Sequence, residues 1–231
     1  EFKSDDLANY EIGAKTEWLD NRIRFNIAAY LMKWKDFAVQ IEDPQDEVFQ
    51  LGYVNLPTAE IPGVETEFTF AINDAWQVDA TLGWNDAHVS EATVLTLTND
   101  AGEVFEIPVT DGARLPLTPD WTASLGIEWR SRGRIMDSQP FARLDVAYAG
   151  ESVNNLEGLE SVVSQNGVTT QDAYETGDFR VGLEGDHWST SLFVSNIWDE
   201  RAVTYTSNRW ARQRLTILQP RTYGLQFRYS F

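Results

Sequence analysis

With 231 residues, 36 acidic against 18 basic side chains and a formal net charge of −18, the chain lacks the basic surplus that nucleic-acid phosphates demand. It has no cysteine, which excludes disulfides and thiolate metal sites, and no apolar run approaches the roughly 18–20 residues of a membrane helix. Its 13% aromatic content, with nine Trp, eight Tyr and twelve Phe, suits either the interfacial girdles of a transmembrane barrel or a Trp-rich soluble sandwich; a mean hydropathy of −0.36 is compatible with both, because alternation dilutes the hydropathy of a barrel strand.

Nine segments alternate with period two, the signature of a strand with two unlike faces. In Ala8–Trp18, Tyr10, Ile12, Ala14, Thr16 and Trp18 oppose Asn9, Glu11, Gly13, Lys15 and Glu17. A second runs from Ile23 to about Asp36 and a third covers Ile61–Ile72. The fourth, Trp76–Asn85, and the fifth, Trp121–Arg130, are the cleanest: Trp76, Val78, Ala80, Leu82 and Trp84 share one face, as do Trp121, Ala123, Leu125, Ile127 and Trp129. Phe141–Ala149, Asp178–Glu184 and Trp188–Trp198 follow. The last segment ends the chain, with Tyr223, Leu225, Phe227, Tyr229 and Phe231 against Thr222, Gly224, Gln226, Arg228 and Ser230. Segments of about ten residues are long enough to cross a bilayer when tilted. Arg143, Arg180, Arg228, Asp79, Glu128 and Asp145 all fall on the polar face, as expected where a charge turned to lipid costs about 2–4 kcal/mol.

The connections alternate in length. Short turns are expected at Leu19–Arg22, Asn73–Ala75, around Ser131–Asp137 and at Gly185–His187; long loops at Val39–Thr58, Ala87–Pro119, Gly150–Tyr174 and Asp199–Leu218. Short turns at one rim and long loops at the other are the pattern of outer-membrane barrels. Within the second long loop, Val94–Leu97 and Val104–Ile107 are expected to form a small hairpin. With the carboxyl terminus at the periplasmic rim, Trp18, Trp76, Trp129, Trp188, Tyr229 and Phe231 fall near that interface. Trp121, Trp198, Tyr148, Tyr10 and Tyr223 then fall near the outer one.

Several stretches resemble TonB-dependent outer-membrane receptors, in the carboxyl-terminal half of their barrel. They are Asn9-Tyr10-Glu11-Ile12-Gly13-Ala14-Lys15 followed by Trp18-Leu19-Asp20-Asn21-Arg22, Ala59-Glu60-Ile61-Pro62-Gly63-Val64-Glu65, Leu115-Pro116-Leu117-Thr118-Pro119-Asp120-Trp121, Val194-Ser195-Asn196-Ile197-Trp198-Asp199-Glu200, and the ending from Pro220 to Phe231. The resemblance covers essentially the whole chain, in the family's order. It implies an all-β, antiparallel transmembrane barrel segment of about nine up-and-down strands belonging to a larger, 22-stranded type. Residues 1–231 are then the carboxyl-terminal part of that barrel, with the amino-terminal plug domain, its TonB-contacting segment and the earlier strands lying outside them. The implied activity is TonB-energised uptake of a scarce bulky solute such as a ferric siderophore. The implied partners are the receptor's own plug, TonB through it, the barrel-assembly machinery, outer-membrane lipid and lipopolysaccharide, and a small-molecule chelate; no nucleic acid and no cofactor are implied. A passive porin and a secreted carbohydrate-binding β-sandwich are the alternatives.

No enzyme constellation stands out. His88 and His187 read as surface residues, and no phosphate loop, zinc spacing or EF-hand loop is present. Glu65 and Glu67, at i and i+2, have the look of paired carboxylates, but a lumen-facing polar row explains them with less effort. The loop Asp199–Leu218 carries Arg201, Arg209, Arg212 and Arg214 with Trp210 and Tyr205. Arginine forks suit carboxylate or catecholate oxygens and aromatic faces suit planar ligands, so Arg209, Trp210, Arg212, Arg214 and Tyr205 are the candidate ligand-binding residues for an anionic iron chelate. Binding of lipopolysaccharide phosphates and neutralisation of acidic neighbouring loops are the competing readings. Gly224, Phe227, Tyr229 and Phe231 resemble the terminal assembly signal of outer-membrane barrels, an exposed strand edge with a terminal ring.

Overall fold

The computed structural model describes residues 3–42, 51–98, 102, 104–157, 168–207 and 213–231. Among the described residues sixteen strands follow one another: β1 (Asp6–Trp18), β2 (Ile23–Glu42), β3 (Leu51–Asn73), β4 (Trp76–Asn85), β5 (His88–Val89), β6 (Thr93–Thr98), β7 (Val104–Val109), β8 (Trp121–Arg130), β9 (Gln139–Ala149), β10 (Ser152–Val153), β11 (Thr170–Gln171), β12 (Tyr174–Glu184), β13 (Trp188–Ser195), β14 (Val203–Ser207), β15 (Arg214–Ile217) and β16 (Thr222–Tyr229). Nine of them form one antiparallel up-and-down sheet in the order β1-β2-β3-β4-β8-β9-β12-β13-β16, with β5 added on β3. The expected nine-strand wall is therefore the fold. It is not closed within this chain, since β1 and β16 each keep one free edge. The remaining strands pair as three small ribbons, β6–β7, β10–β11 and β14–β15.

Where alternation is unbroken, the strands start and stop where the sequence puts them: β4 and β8 match Trp76–Asn85 and Trp121–Arg130. The turns between them use side chains that favour tight reversals. Asn73 Oδ1 accepts the amides of Ala75 (2.8 Å) and Trp76 (3.2 Å). Asp20 and Asn21 take left-handed φ values of 54° and 65°, which short carboxamide and carboxylate side chains tolerate.

One antiparallel row crosses the whole wall: Trp18, Ile23, Phe70, Val78, Ile127, Leu144, Phe179, Val194 and Tyr223, one residue from each long strand and every one apolar or aromatic. It starts at the short-turn end of β1 and finishes at the long-loop end of β16. That stagger is what a tilted barrel wall requires. Among the described residues no second layer covers this face, and Ile12 (78% exposed), Leu192 (60%) and Leu225 (71%) stand bare along it. The stacked apolar interior that the sandwich alternative needs is absent from it.

The hydrophobic core sits elsewhere. Phe37, Leu56, Ala59, Val89, Leu95, Ile107, Val109, Leu115 and Leu156 are buried together, with Trp34 and Ile61 packed against them, where the long connections meet the long-loop ends of β2 and β3. The loop expected at Val39–Thr58 is largely not a loop: β2 and β3 continue as a paired ribbon from Phe37↔Leu56 to Glu42↔Leu51. With 23 residues, about 75 Å at ~3.3 Å per residue, β3 is far longer than the roughly nine to eleven residues that a tilted strand needs to cross a bilayer. Alternation hides the extension because Asp36 takes φ 50° and shifts the facing of the strand. Trp34 and Phe37, an odd number apart, end up with ring centroids 5.3 Å from each other.

The expected hairpin in the second long loop forms, as β6–β7, in the register Val94↔Pro108 to Leu97↔Phe105. Two boundaries move: β12 begins at Tyr174 rather than near Asp178, and β13 stops at Ser195, where Asn196 turns left-handed at φ 53°. The ribbon β14–β15, inside the segment expected to be a loop, is an addition.

Candidate functional site: the lumen wall and the outer mouth

Opposite the apolar row lies a polar one. Glu17, Arg24, Thr69, Asp79, Gly126, Asp145 and Asp178 occupy successive strands in register. Its neighbour carries Gln77, Glu128, Arg143 and Arg180. Arg143 is the hub. Its Nε donates to Asp145 (2.9 and 3.0 Å), Nη2 lies 2.7 Å from Asp145 Oδ1, and Nη1 is 3.4 Å from Asp79 and 3.6 Å from Glu128. Arg130 continues the chain of charges, donating from Nε to Glu128 and from Nη1 to Glu184, both at 2.6 Å. The guanidinium of Arg143 lies flat across β8 because residue 126 is glycine. A Cβ there would run into both the guanidinium and the Asp145 carboxylate.

Along β1–β3, Glu65 and Glu67 share this face with Glu11, Lys15 and Asn26, and Glu67 accepts from Asn26 Nδ2 at 3.1 Å. They stand along a shallow recess of the wall, as the polar-row reading expects.

Above the wall, the long connections tie into one body. Val89 pairs with Ala59, and Ser90 N donates to Thr58 O (3.0 Å). Leu117 N donates to Val153 O (2.8 Å), joining the second connection to the third. Arg114 anchors the same junction, its amide donating to Glu157 (3.1 Å) and its guanidinium to Glu151 (3.0 Å). Buried Asn154 donates from Nδ2 to Thr206 O (2.8 Å), joining the third connection to β14. Because Trp34, Ala59 and Ile61 lie on the lumen side of β2 and β3 by register, the body packs inward, over the mouth.

The last long connection leaves the wall through a clamp. Asn196 is buried; its Nδ2 donates to the carbonyls of Glu200 and Gln219, both at 2.9 Å, and its Oδ1 accepts Glu200 N at 2.8 Å. Asp199 Oδ1 accepts the backbone amide of Arg221 (2.9 Å), and its carboxylate also takes Arg201 Nη2 (3.0 Å). The Arg221 amide first and the Arg201 guanidinium second hold the Asp199 carboxyl below its usual 3.8. Its contribution to closing the loop base is therefore complete above the unfolded value and lost only as pH falls through the lower folded one. We expect protection of the Arg221 amide against hydrogen exchange to be flat from about pH 7 to about pH 5 and to fail only under stronger acid. Asp199→Asn should lower that protection at neutral pH and remove the acid transition.

Of the candidate ligand residues, Tyr205 and Arg214 are brought together. Tyr205 pairs with Thr216 and Ser207 with Arg214, so both side chains belong to one face of the β14–β15 ribbon, in diagonal positions. Arg209, Trp210 and Arg212 lie outside the described residues. Arg201, read with them in the sequence, is engaged with Asp199 at the clamp instead. Of the terminal residues, Phe227 and Tyr229 are exposed along β16 opposite Thr190 and Trp188, and Phe231 is fully exposed beyond it. Gly224 faces Phe193 across the pair, and the Phe193 ring occupies the place a Cβ at 224 would take. Neither the junction at Arg114 nor the clamping role of Asn196 is legible in the sequence; an Asx residue just past an alternating run is the one local signal that points to Asn196.

A family model described as TonB-dependent receptor-like, β-barrel, matches residues 4–197. Among solved structures, the chain is similar to the ferric yersiniabactin uptake receptor FyuA from Yersinia pestis, with a TM-score of 0.73 and 22% identity, covering 100% of this chain and 30% of that one. The siderophore receptor PiuA from Acinetobacter baumannii gives a TM-score of 0.70 at 17% identity, over 96% and 28% of the two chains. The ferric-catecholate import receptor Fiu from E. coli K12 gives 0.65 at 19% identity, over 98% and 27%. The chain thus spans under a third of the length of these neighbours, and at such identities the likeness is one of fold.

Proposed function

The chain belongs to the TonB-dependent receptor-like β-barrel family, a family of bacterial outer-membrane transport receptors, and from that premise we propose that it is part of a receptor taking up a ferric siderophore or similar iron chelate, energised through TonB. Among the solved structures it resembles, FyuA is a ferric yersiniabactin uptake receptor, PiuA a siderophore receptor and Fiu a ferric-catecholate import receptor. The observation that carries it is the two-faced wall. One register row is apolar on every strand and bare of protein, while the row behind it is a paired-charge lining that suits a water-filled or plugged lumen.

In this proposal residues 1–231 are the carboxyl-terminal part of the barrel. The earlier strands close the wall against the free edges of β1 and β16, and an amino-terminal plug rests on the lumen lining and transmits the pull of TonB. The exposed edge and rings of β16, with Gly224, Phe227, Tyr229 and Phe231, serve the barrel-assembly machinery. The chelate is met by the last long connection, where Arg209, Trp210, Arg212, Arg214 and Tyr205 supply guanidinium forks and ring faces. The clamp at Asn196 and Asp199 supports this role by fixing the base from which that connection projects.

The test is uptake by the complete receptor with Arg209, Arg212 and Arg214 all changed to Ala. Losing two or three charge-assisted hydrogen bonds is expected to weaken chelate binding by about a hundredfold or more, with barrel yield unchanged. Unaltered affinity would remove these arginines from the ligand site. Failure of the wild-type receptor to take up any ferric chelate in a TonB-dependent way would remove the transport reading itself.

A further inference from the structure

The last long connection is held at two heights, and the upper hold comes from a different connection. Its base is closed by the Asn196 and Asp199 clamp and, one step further, by Leu218 N donating to Ala202 O (3.1 Å). From there β14 and β15 rise as a ribbon with two faces: Tyr205, Ser207, Arg214 and Thr216 lie to one side, Thr206 to the other. Thr206 is 2% exposed, whereas Tyr205 and Arg214 are exposed, so the ribbon has a seated back and a presented front.

The upper hold is Asn154, in the third connection and 3% exposed. Its Nδ2 donates to Thr206 O (2.8 Å), its Oδ1 accepts the amide of Thr169 (2.6 Å), and its own amide donates to Thr169 O (3.0 Å). The carboxamide thus takes the place of a peptide group between Thr169 and Thr206, accepting at one end and donating at the other. Flipped, it would set donor against donor and acceptor against acceptor. A buried carbonyl deprived of its donor is then worse than a lost bond, because its desolvation goes uncompensated. A ribbon fixed at its base alone can pivot about that base. Fixed again at Thr206, which pairs with Leu215 one rung below the last, it holds one pose.

We propose that Asn154 is the positioning residue of the ligand ribbon: its carboxamide sets the pose of the face that carries Tyr205 and Arg214. The third connection, which supplies none of the candidate ligand groups, thereby governs how the last one meets its solute. The inference rests on the reading of that ribbon as a chelate-binding element and assigns its alignment to a buried residue outside it.

The experiment uses the complete receptor in detergent, spin-labelled at Glu91→Cys, exposed just beyond β5, and at Thr216→Cys, exposed on the Tyr205 face. Double electron–electron resonance reads the separation, and a single narrow distance is expected with Asn154 intact. Asn154→Asp keeps the acceptor for Thr169 and loses the donor to Thr206 O. It should broaden the distance and speed hydrogen exchange of the β14 amides about tenfold, the equivalent of one hydrogen bond. Asn154→Leu, close in shape and uncharged, should do the same. Asn155→Asp, which places the same charge one residue on, should do neither, and heat-modifiable migration should stay normal in all three. An unbroadened distance in N154D and N154L, or equal broadening in N155D, overturns the assignment. The iron(III) complex of 2,3-dihydroxybenzoate tests the reading beneath it: wild type should bind this probe and N154D should bind it about tenfold more weakly. Unchanged affinity beside a displaced ribbon, or no binding by wild type, would fault the ribbon as a ligand element and leave the joint at Asn154 standing.

Discussion

Leu125→Arg in the complete receptor should destabilise the barrel by about 2–4 kcal/mol, the cost of placing a guanidinium on the lipid face near the bilayer midplane. Leu125 is the fifth of the ten residues of β8, pairs with Ala80 and Val146 on the outward face, and is 42% exposed within the chain. That combination makes the substitution diagnostic. In a water-soluble sheet a half-exposed leucine tolerates arginine within about 0.5 kcal/mol, because the long side chain simply extends into solvent. In hydrocarbon the same extension meets no water, and the charge must snorkel across half the membrane or go unsolvated. The neighbouring Ser124→Arg is the internal control. Ser124 points to the lumen, where its hydroxyl meets Thr81 at 2.7 Å, and an arginine there finds water and the carboxylates of Asp79 and Asp145 nearby. Denaturant unfolding of the refolded receptor, read by loss of heat-modifiable migration, should separate the two variants widely. Similar midpoints for both would remove lipid as the partner of the apolar row.

The wall was legible in the sequence because each of its strands repeats a simple instruction. Trp76–Asn85 and Trp121–Arg130 alternate without a break, and the structure starts and stops β4 and β8 at those residues. What escaped was set by geometry that period two cannot express. The left-handed Asp36 re-aims β2, so Trp34 and Phe37 join one core although they are three apart, and the paired extension to Glu42↔Leu51 reads as an irregular loop. The ribbon Val203–Ser207 with Arg214–Ile217 is short, and Thr204, Thr206 and Ser207 give it little contrast between faces. The alternation runs on to Trp198, whereas Asn196 has already turned the chain and closed the loop base through Gln219, a residue 23 positions away. The same holds for the lining. The sequence puts Arg143, Asp79, Glu128 and Asp145 on one polar face, but only register reveals that the first is the common partner of the other three.

That shared partnership sets the second large effect. Arg143→Met keeps much of the side-chain stem and removes the charge, leaving Asp79, Glu128 and Asp145 to face one another around Gly126. Removing one member of a fully buried ion pair costs about 3–5 kcal/mol. Here the Arg143 side chain is 30% exposed within the chain, so we expect about 2 kcal/mol, still large for a single position on a sheet surface. The origin of the loss is carboxylate repulsion rather than lost packing, and it should therefore be reversible by neutralisation. Arg143→Met combined with Asp145→Asn should recover a substantial part of the stability, because Asp145 makes the shortest contact with Arg143, at 2.7 Å. Asp145→Asn alone should cost less than Arg143→Met, since Arg143 retains Asp79 and Glu128. Gly126→Val tests the same arrangement from below: its side chain occupies the space where the guanidinium lies and should mimic Arg143→Met without altering any charge. A double-mutant cycle on residues 143 and 145 measures the coupling directly. Strict additivity would mean that the lining charges act independently, and Arg143 would then be a solvated side chain rather than the fastening of β4, β8 and β9.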